Sequence, residues 1–213
     1  MTYLIVAIVV WSLIHFIPAS AVAFRAGLVR RLGVTAYKGL FAVVAFAALL
    51  LIISNWKSAS VSPVYTPPSW GPYLTIVFAL AAFILLFAPY FRNSLSCHIR
   101  HPQLLGVVVW GVGHLFSNGE ARSIVLFGGF ALWALLQIVL LNRRDGAWTK
   151  PQAASVISNV RLLLAGLGFF ILALYLHGRL FGVDPVVYLR TCCLPLMMRD
   201  LRPCRIYSPP SIK

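Results

Sequence analysis

Apolar stretches of about twenty residues recur along the chain, each closed by arginine, lysine, proline or asparagine, over roughly residues 3–24, 37–55, 71–91, 101–118, 122–142 and 161–181. A helix of about twenty residues matches the roughly 30 Å hydrocarbon core of a bilayer. The pattern therefore predicts an all-α fold, a polytopic transmembrane bundle of about six helices. The fourth stretch is the shortest, and its helix is expected to extend back toward Asn93 to reach a full span. The first stretch has no basic region ahead of it and is followed by arginines, so it reads as a retained helix and not a cleaved leader.

The intervals between the stretches sort by charge. Arg25, Arg30, Arg31 and Lys38 follow the first, Arg92 and Arg100 follow the third, and Arg143, Arg144, Lys150 and Arg161 join the fifth to the sixth. The alternate intervals hold only Lys57, Arg122 and Arg179. By the positive-inside rule the first group faces the cytoplasm of a bacterial inner membrane, which puts both termini outside it. A net charge of +14 placed at the edges of apolar runs is a topology signal, and nucleic-acid binding is not expected. The bilayer itself is the expected partner.

Between Asn55 and Gly71, Pro63, Pro67 and Pro68 alternate with Trp56, Tyr65 and Trp70, a mixture that stops a helix and suits the water–lipid interface. Four carboxylates are present, Glu120, Asp145, Asp184 and Asp200, and none lies within a predicted span. A proton pump or carboxylate-gated transporter would lack its central groups. The sequence has no phosphate-binding glycine loop, no HExxH and no GxSxG. Cys97 precedes His98 without the second cysteine that covalent c-type haem attachment needs.

Histidine remains. His101 and His114 are separated by 13 residues, roughly 20 Å along a helix, so they cannot share one metal ion. His101, beside Pro102, is expected at the cytoplasmic interface, with His98 in the loop before it and His177 nearer the outer face. Counted from the helix ends, His15 and His114 both reach the midplane and are the expected facing pair. Two neutral imidazoles at one depth suit the axial positions of a b-type haem, with Trp11, Phe16, Trp110 and Phe116 near in sequence. The alternative is that each bonds a backbone carbonyl or polar side chain and serves packing alone. Gly106, Gly111 and Gly113 fit close helix packing, or room for a flat cofactor; Gly128, Gly129, Gly166 and Gly168 fit packing.

The segments HPQLLGVVVWGVGHLFSNG and SIVLFGGFALWAL, with WSLIHFIPAS, LGVTAYKGLF and HGRLFGV, resemble the NnrU family of bacterial membrane proteins, which also takes in the 15-cis-zeta-carotene isomerases. The resemblance runs from about residue 2 to about 185. It implies association with denitrification and nitric-oxide or nitrite metabolism, and in the isomerase branch a haem b that drives cis–trans isomerisation of a polyene. The axial histidines of that branch correspond to His15 and His114, with a further histidine matching His101. Where the isomerase has a cysteine implicated in a ligand switch, this chain has Gly111, which puts such a switch in doubt here.

Three functions follow as expectations. One is a haem b protein of nitrogen-oxide metabolism with a respiratory or electron-transfer partner. Another is a haem-dependent isomerase with a polyene substrate. The third is a haem-free structural membrane protein. Residues 1–185 form the expected transmembrane domain. Residues 186–213, which carry Cys192, Cys193 and Cys204 and five basic residues, leave the family pattern and are expected to be a disordered, dispensable tail.

Overall fold

A computed structural model describes residues 1–185; the tail assigned to 186–213 lies outside the described residues. The described chain is all-helical: α1 Thr2–Ser20, α2 Val22–Leu32, α3 Val34–Ser58, α4 Gly71–Phe87, α5 Pro102–Leu115, α6 Ala121–Asp145 and α7 Val156–Phe181. Five of these, α1, α3, α4, α6 and α7, are long and apolar enough to cross a membrane, and α5 is a shorter apolar helix. Large side chains on their outer faces are exposed, with Val43 at 67%, Phe46 at 61% and Leu164 at 64%. Apolar surface on that scale belongs against lipid.

α5 lies between α4 and α6, α1 packs on α3 and α6, and α7 packs on α4. Leu4, Ala7, Ile8, Ile52, Phe130, Trp133 and Ala134 form the buried core where α1, α3 and α6 meet. Glycines permit the close contacts. A Cβ on Gly166 would stand 2.9 Å from the Ile84 Cα, and one on Gly113 would stand 2.5 Å from the Phe78 Cβ. Gly106 is closed in the same way by the Ala82 carbonyl, 3.0 Å away. These three glycines serve helix approach.

Two expectations need correction. The first apolar run does not continue to residue 24: α1 ends at Ser20, and α2, which carries Arg25, Arg30 and Arg31, forms where a loop was expected. Pro18, in the last turn of α1, is the one signal the pattern offered for the break at Ala21. α2 stops at Gly33, whose φ of +81° strains any residue with a side chain. Nor does α5 extend back toward Asn93. It starts at Pro102, and the preceding segment turns through short 3₁₀ helices at Ala88–Tyr90 and Leu95–Cys97.

Buried Asn93 satisfies that irregular backbone. Its Nδ2 donates to the Ala88 and Phe91 carbonyls at 2.7 and 2.8 Å, and its Oδ1 accepts from the Ser96 amide at 2.9 Å. Non-helical backbone is tolerated at membrane depth when protein groups satisfy it in this way. Asn159 of α7 adds a bond from the Ser94 amide at 2.8 Å.

The connecting segments gather at two ends of the bundle. At one end Ser62 and Val64 bond Ala121 and Gly119 through backbone contacts of 2.8 Å, and the Tyr65 hydroxyl donates to the Leu115 and Asn118 carbonyls. Burial raises the Tyr65 pKa, which keeps that hydroxyl a donor. At the other end Arg100 bonds the Gly146 carbonyl at 2.8 Å and Arg144 the Pro18 carbonyl at 2.9 Å. The ten basic residues grouped from the sequence lie in or beside the segments of this second, basic end.

Candidate functional site

His15 and His114 are built alike. Each sits four residues after a tryptophan on its helix, in Trp11-x-x-x-His15 and Trp110-x-x-x-His114. In each the ring Nδ1 donates to the carbonyl of that tryptophan, at 2.8 Å from His15 and 2.9 Å from His114. A carbonyl can only accept, so the proton is on Nδ1 and the Nε2 lone pair is left without a protein partner among the described residues. Metal-binding histidines are commonly oriented by such a bond from the other ring nitrogen.

Their surroundings differ. The His15 ring stacks on Trp11, with centroids 4.1 Å apart, and meets Trp133 and Phe41 edge-on at 5.2 and 5.3 Å. It lies on the wall of a cavity of about 680 Å³ that is also lined by Trp11, Leu104, Val107, Phe130 and Trp133. Arg100, His101, Gln103 and Gln137 add its polar lining. His114 is not on that wall. It stacks on Phe127 at 4.5 Å and touches Trp110 at 5.0 Å.

Phe127 belongs to the π-helical turn Ile124–Gly128 of α6, the kind of local widening that proteins often keep at functional sites. Gly111 presses against this turn. A Cβ there would stand 2.6 Å from the Phe127 carbonyl oxygen, so a cysteine side chain has no room at this position.

The equal depth expected of His15 and His114 is not observed. α6 serves as a ruler, because His15 touches Trp133 and His114 touches Phe127, six residues and about 9 Å apart along the axis. Imidazoles sharing one metal need both nitrogens about 2 Å from it. In this arrangement Trp11, Phe130 and Trp110 stand between the two histidines, with successive centroids 5.6 and 6.0 Å apart. The reason is the true helix ends. α1 ends at Ser20 at the basic end, and α5 ends at Leu115 at the opposite one, so His15 is nearer the first and His114 nearer the second.

The cavity instead brings His15 together with His101, whose Nε2 lies 3.1 Å from Asn142 Oδ1. His98 bonds the Ser94 carbonyl at 3.2 Å, and His177 the Val183 carbonyl at 2.7 Å. Among the described residues no group of three or more His, Cys, Asp and Glu side chains could hold a metal ion.

Three further polar atoms bear on the cavity. The indole nitrogens of Trp11 and Trp133 and the Oε1 of Gln137 are buried with no hydrogen-bond partner among the described residues, and all three residues line it. An unmet buried group costs about 1–3 kcal/mol. Gln137 also fixes the site, because its Nε2 donates to the His15 carbonyl at 3.1 Å and so ties α6 to α1. Sequence reasoning passed over this glutamine and both tryptophan carbonyls. The repeated Trp-x-x-x-His spacing and an amide deep in an apolar run were the signals that would have found them.

A family model described as NnrU protein matches residues 3–185. No curated protein and no solved structure matches the chain.

Proposed function

Because the chain belongs to the NnrU family, we propose that it is a haem b-binding inner-membrane protein acting in nitrogen-oxide metabolism, with His15 as the residue that would hold the haem iron. The observation that carries this reading is the His15 Nε2, free and oriented, on the wall of an aromatic cavity that opens toward cationic side chains. The residues present fit the group. Trp11, Phe130 and Trp133 would offer apolar faces to a porphyrin, while Arg100 would be a donor for its carboxylates. Haem b, when bound, supplies an iron that exchanges single electrons and takes diatomic ligands.

The chain's own residues do the rest. The Trp11 carbonyl holds the His15 proton on Nδ1 and Gln137 fixes the α1 backbone beneath it. His101 is the histidine that shares the cavity; His114, in its aromatic stack, is left out of the ligand set. The basic end faces the cytoplasm and both termini face away from it, as the positive-inside rule requires.

Purified protein in detergent tests the assignment. A Soret band that survives in His15→Ala overturns it; a band lost in His15→Ala and kept in His114→Ala supports it. A shift of that band on adding nitric oxide supports the nitrogen-oxide role.

One observation favours a second reading, the isomerase. An apolar groove of about 350 Å³ between α1 and α6, lined by Ile5, Val9, Leu132 and Leu136, shares Trp133 with the cavity. A polyene dissolved in lipid would reach the cavity's edge along it. Conversion of tri-cis-zeta-carotene in a host lacking the isomerase would establish that activity.

A further inference from the structure

α2 is 11 residues long, about 17 Å, too short to cross the membrane. It carries Arg25, Arg30 and Arg31, with Lys38 near the start of α3, while Val22, Phe24 and Leu32 are exposed at 48, 57 and 45%. Arginine beside exposed apolar side chains on a short helix between two spans is the make-up of an element lying in the headgroup plane. No carboxylate occurs before Glu120, and the ion pairs among the described residues are Glu120–Arg122 and Arg144–Asp145. The four cations of this segment therefore have no counter-ion from the described protein.

Arg25 is held in place, its guanidinium carbon 5.6 Å from the centre of the Tyr37 ring. Tyr37 is 8% exposed, and its hydroxyl is buried with no hydrogen-bond partner among the described residues. One kind of group answers both needs: an anion with several acceptor oxygens, able to take the phenol proton donor and the guanidinium together.

We propose that α2 and the start of α3 bind the phosphodiester of an anionic phospholipid. Arg25 and the Tyr37 hydroxyl hold its oxygens, and Arg30, Arg31 and Lys38 supply the surrounding positive field. The occupant is a lipid and not free phosphate because Val22, Phe24 and Leu32 offer acyl chains an apolar surface on the same short helix. The site contributes a fixed lipid anchor at the elbow between α1, whose Trp11 and His15 line the cavity, and α3, whose Phe41 touches the His15 ring.

The test uses the full chain in phosphatidylcholine vesicles doped with spin-labelled phosphatidylglycerol, the immobilised lipid fraction being read by electron paramagnetic resonance. The wild type is expected to immobilise this label in preference to labelled phosphatidylcholine. Arg25→Gln should lower that preference about fivefold. Tyr37→Phe should lower it about threefold while thermal stability is unchanged or improved, because deleting an unmet buried hydroxyl does not weaken a fold. Arg92→Gln with Arg161→Gln, two charges removed from the same end, should leave it unaltered. The proposal is overturned if Tyr37→Phe retains the label as tightly as the wild type, if the Arg92 and Arg161 variant falls as far as Arg25→Gln, or if the wild type does not distinguish the two lipids.

Discussion

The Trp-x-x-x-His segments of α1 and α5 have the same internal geometry and opposite settings. Each ring donates from Nδ1 to the carbonyl four residues back, and each Nε2 has no protein partner among the described residues. His15 opens onto a cavity of about 680 Å³, whereas His114 is not on its wall and stacks on Phe127. The local bond follows from one turn of helix and any such spacing can make it. Whether the free nitrogen can meet a ligand depends on what a different helix places before it. One motif twice in a chain is therefore not evidence of two equal sites, nor of a pair.

The largest effect that separates the two is on cofactor content. His15→Ala should abolish haem absorbance in purified protein, and His114→Ala should retain it; equal losses would erase the contrast. Next is packing beside His114. Gly111→Cys forces a side chain against the Phe127 carbonyl, and a loss of about 1–3 kcal/mol is expected in detergent thermal unfolding. An unchanged midpoint would mean that the π-helical turn yields freely.

A smaller change is expected from Gln137→Leu, which removes the tie to the His15 carbonyl and also one unmet oxygen. The two effects oppose each other, so stability should move by about 1 kcal/mol or less. The haem band should broaden as His15 loses its fixed position. A sharp, unshifted band would show that the tie does not position the ring.

An effect of similar, small size concerns the loop that closes the His114 end. Tyr65→Phe removes the donor to the Leu115 and Asn118 carbonyls and should cost about 0.5–1.5 kcal/mol. Its pH dependence has a definite sign. The Tyr65 pKa is raised in the folded protein, so this stabilisation is fully present below the ordinary value of 10.0 and is lost as pH rises through the folded value. The gap between wild type and Tyr65→Phe should therefore be flat at neutral pH and close in strong alkali; a gap that widens there reverses the assignment.

Much of the architecture was legible. Runs of twenty apolar residues leave few alternatives once backbone groups must be satisfied inside lipid, and the arginines and lysines sorted the connecting segments onto two ends as the structure has them. α2 was not legible, because arginines after an apolar run look the same in a loop and in an interfacial helix. The irregular backbone before Pro102, where the helix was expected to extend back toward Asn93, was equally hidden. Asn93 meets the needs of that backbone through contacts with Ala88, Phe91 and Ser96.

Those unseen ends decided the site. A depth for His15 counted from residue 24 carries the error of that end, because α1 stops at Ser20, and a few residues at about 1.5 Å each separate histidines that the count had put level. His15 and His101 come from helices whose packing alone brings them to one cavity, with Gln137 of α6 beside them.

By itself the sequence determined that this is a helical membrane protein, which segments share an end, and that histidine rather than a carboxylate is the candidate chemistry. Hydrophobic length, charge at the ends of spans and residue inventory are properties of the chain taken locally. Only the tertiary structure decided which imidazole has room before it, that Gly111 is filled by the Phe127 backbone, and that Tyr37 and Arg25 meet. Each of these depends on where one helix stops and another passes, and such contacts are set by packing between elements far apart in the chain.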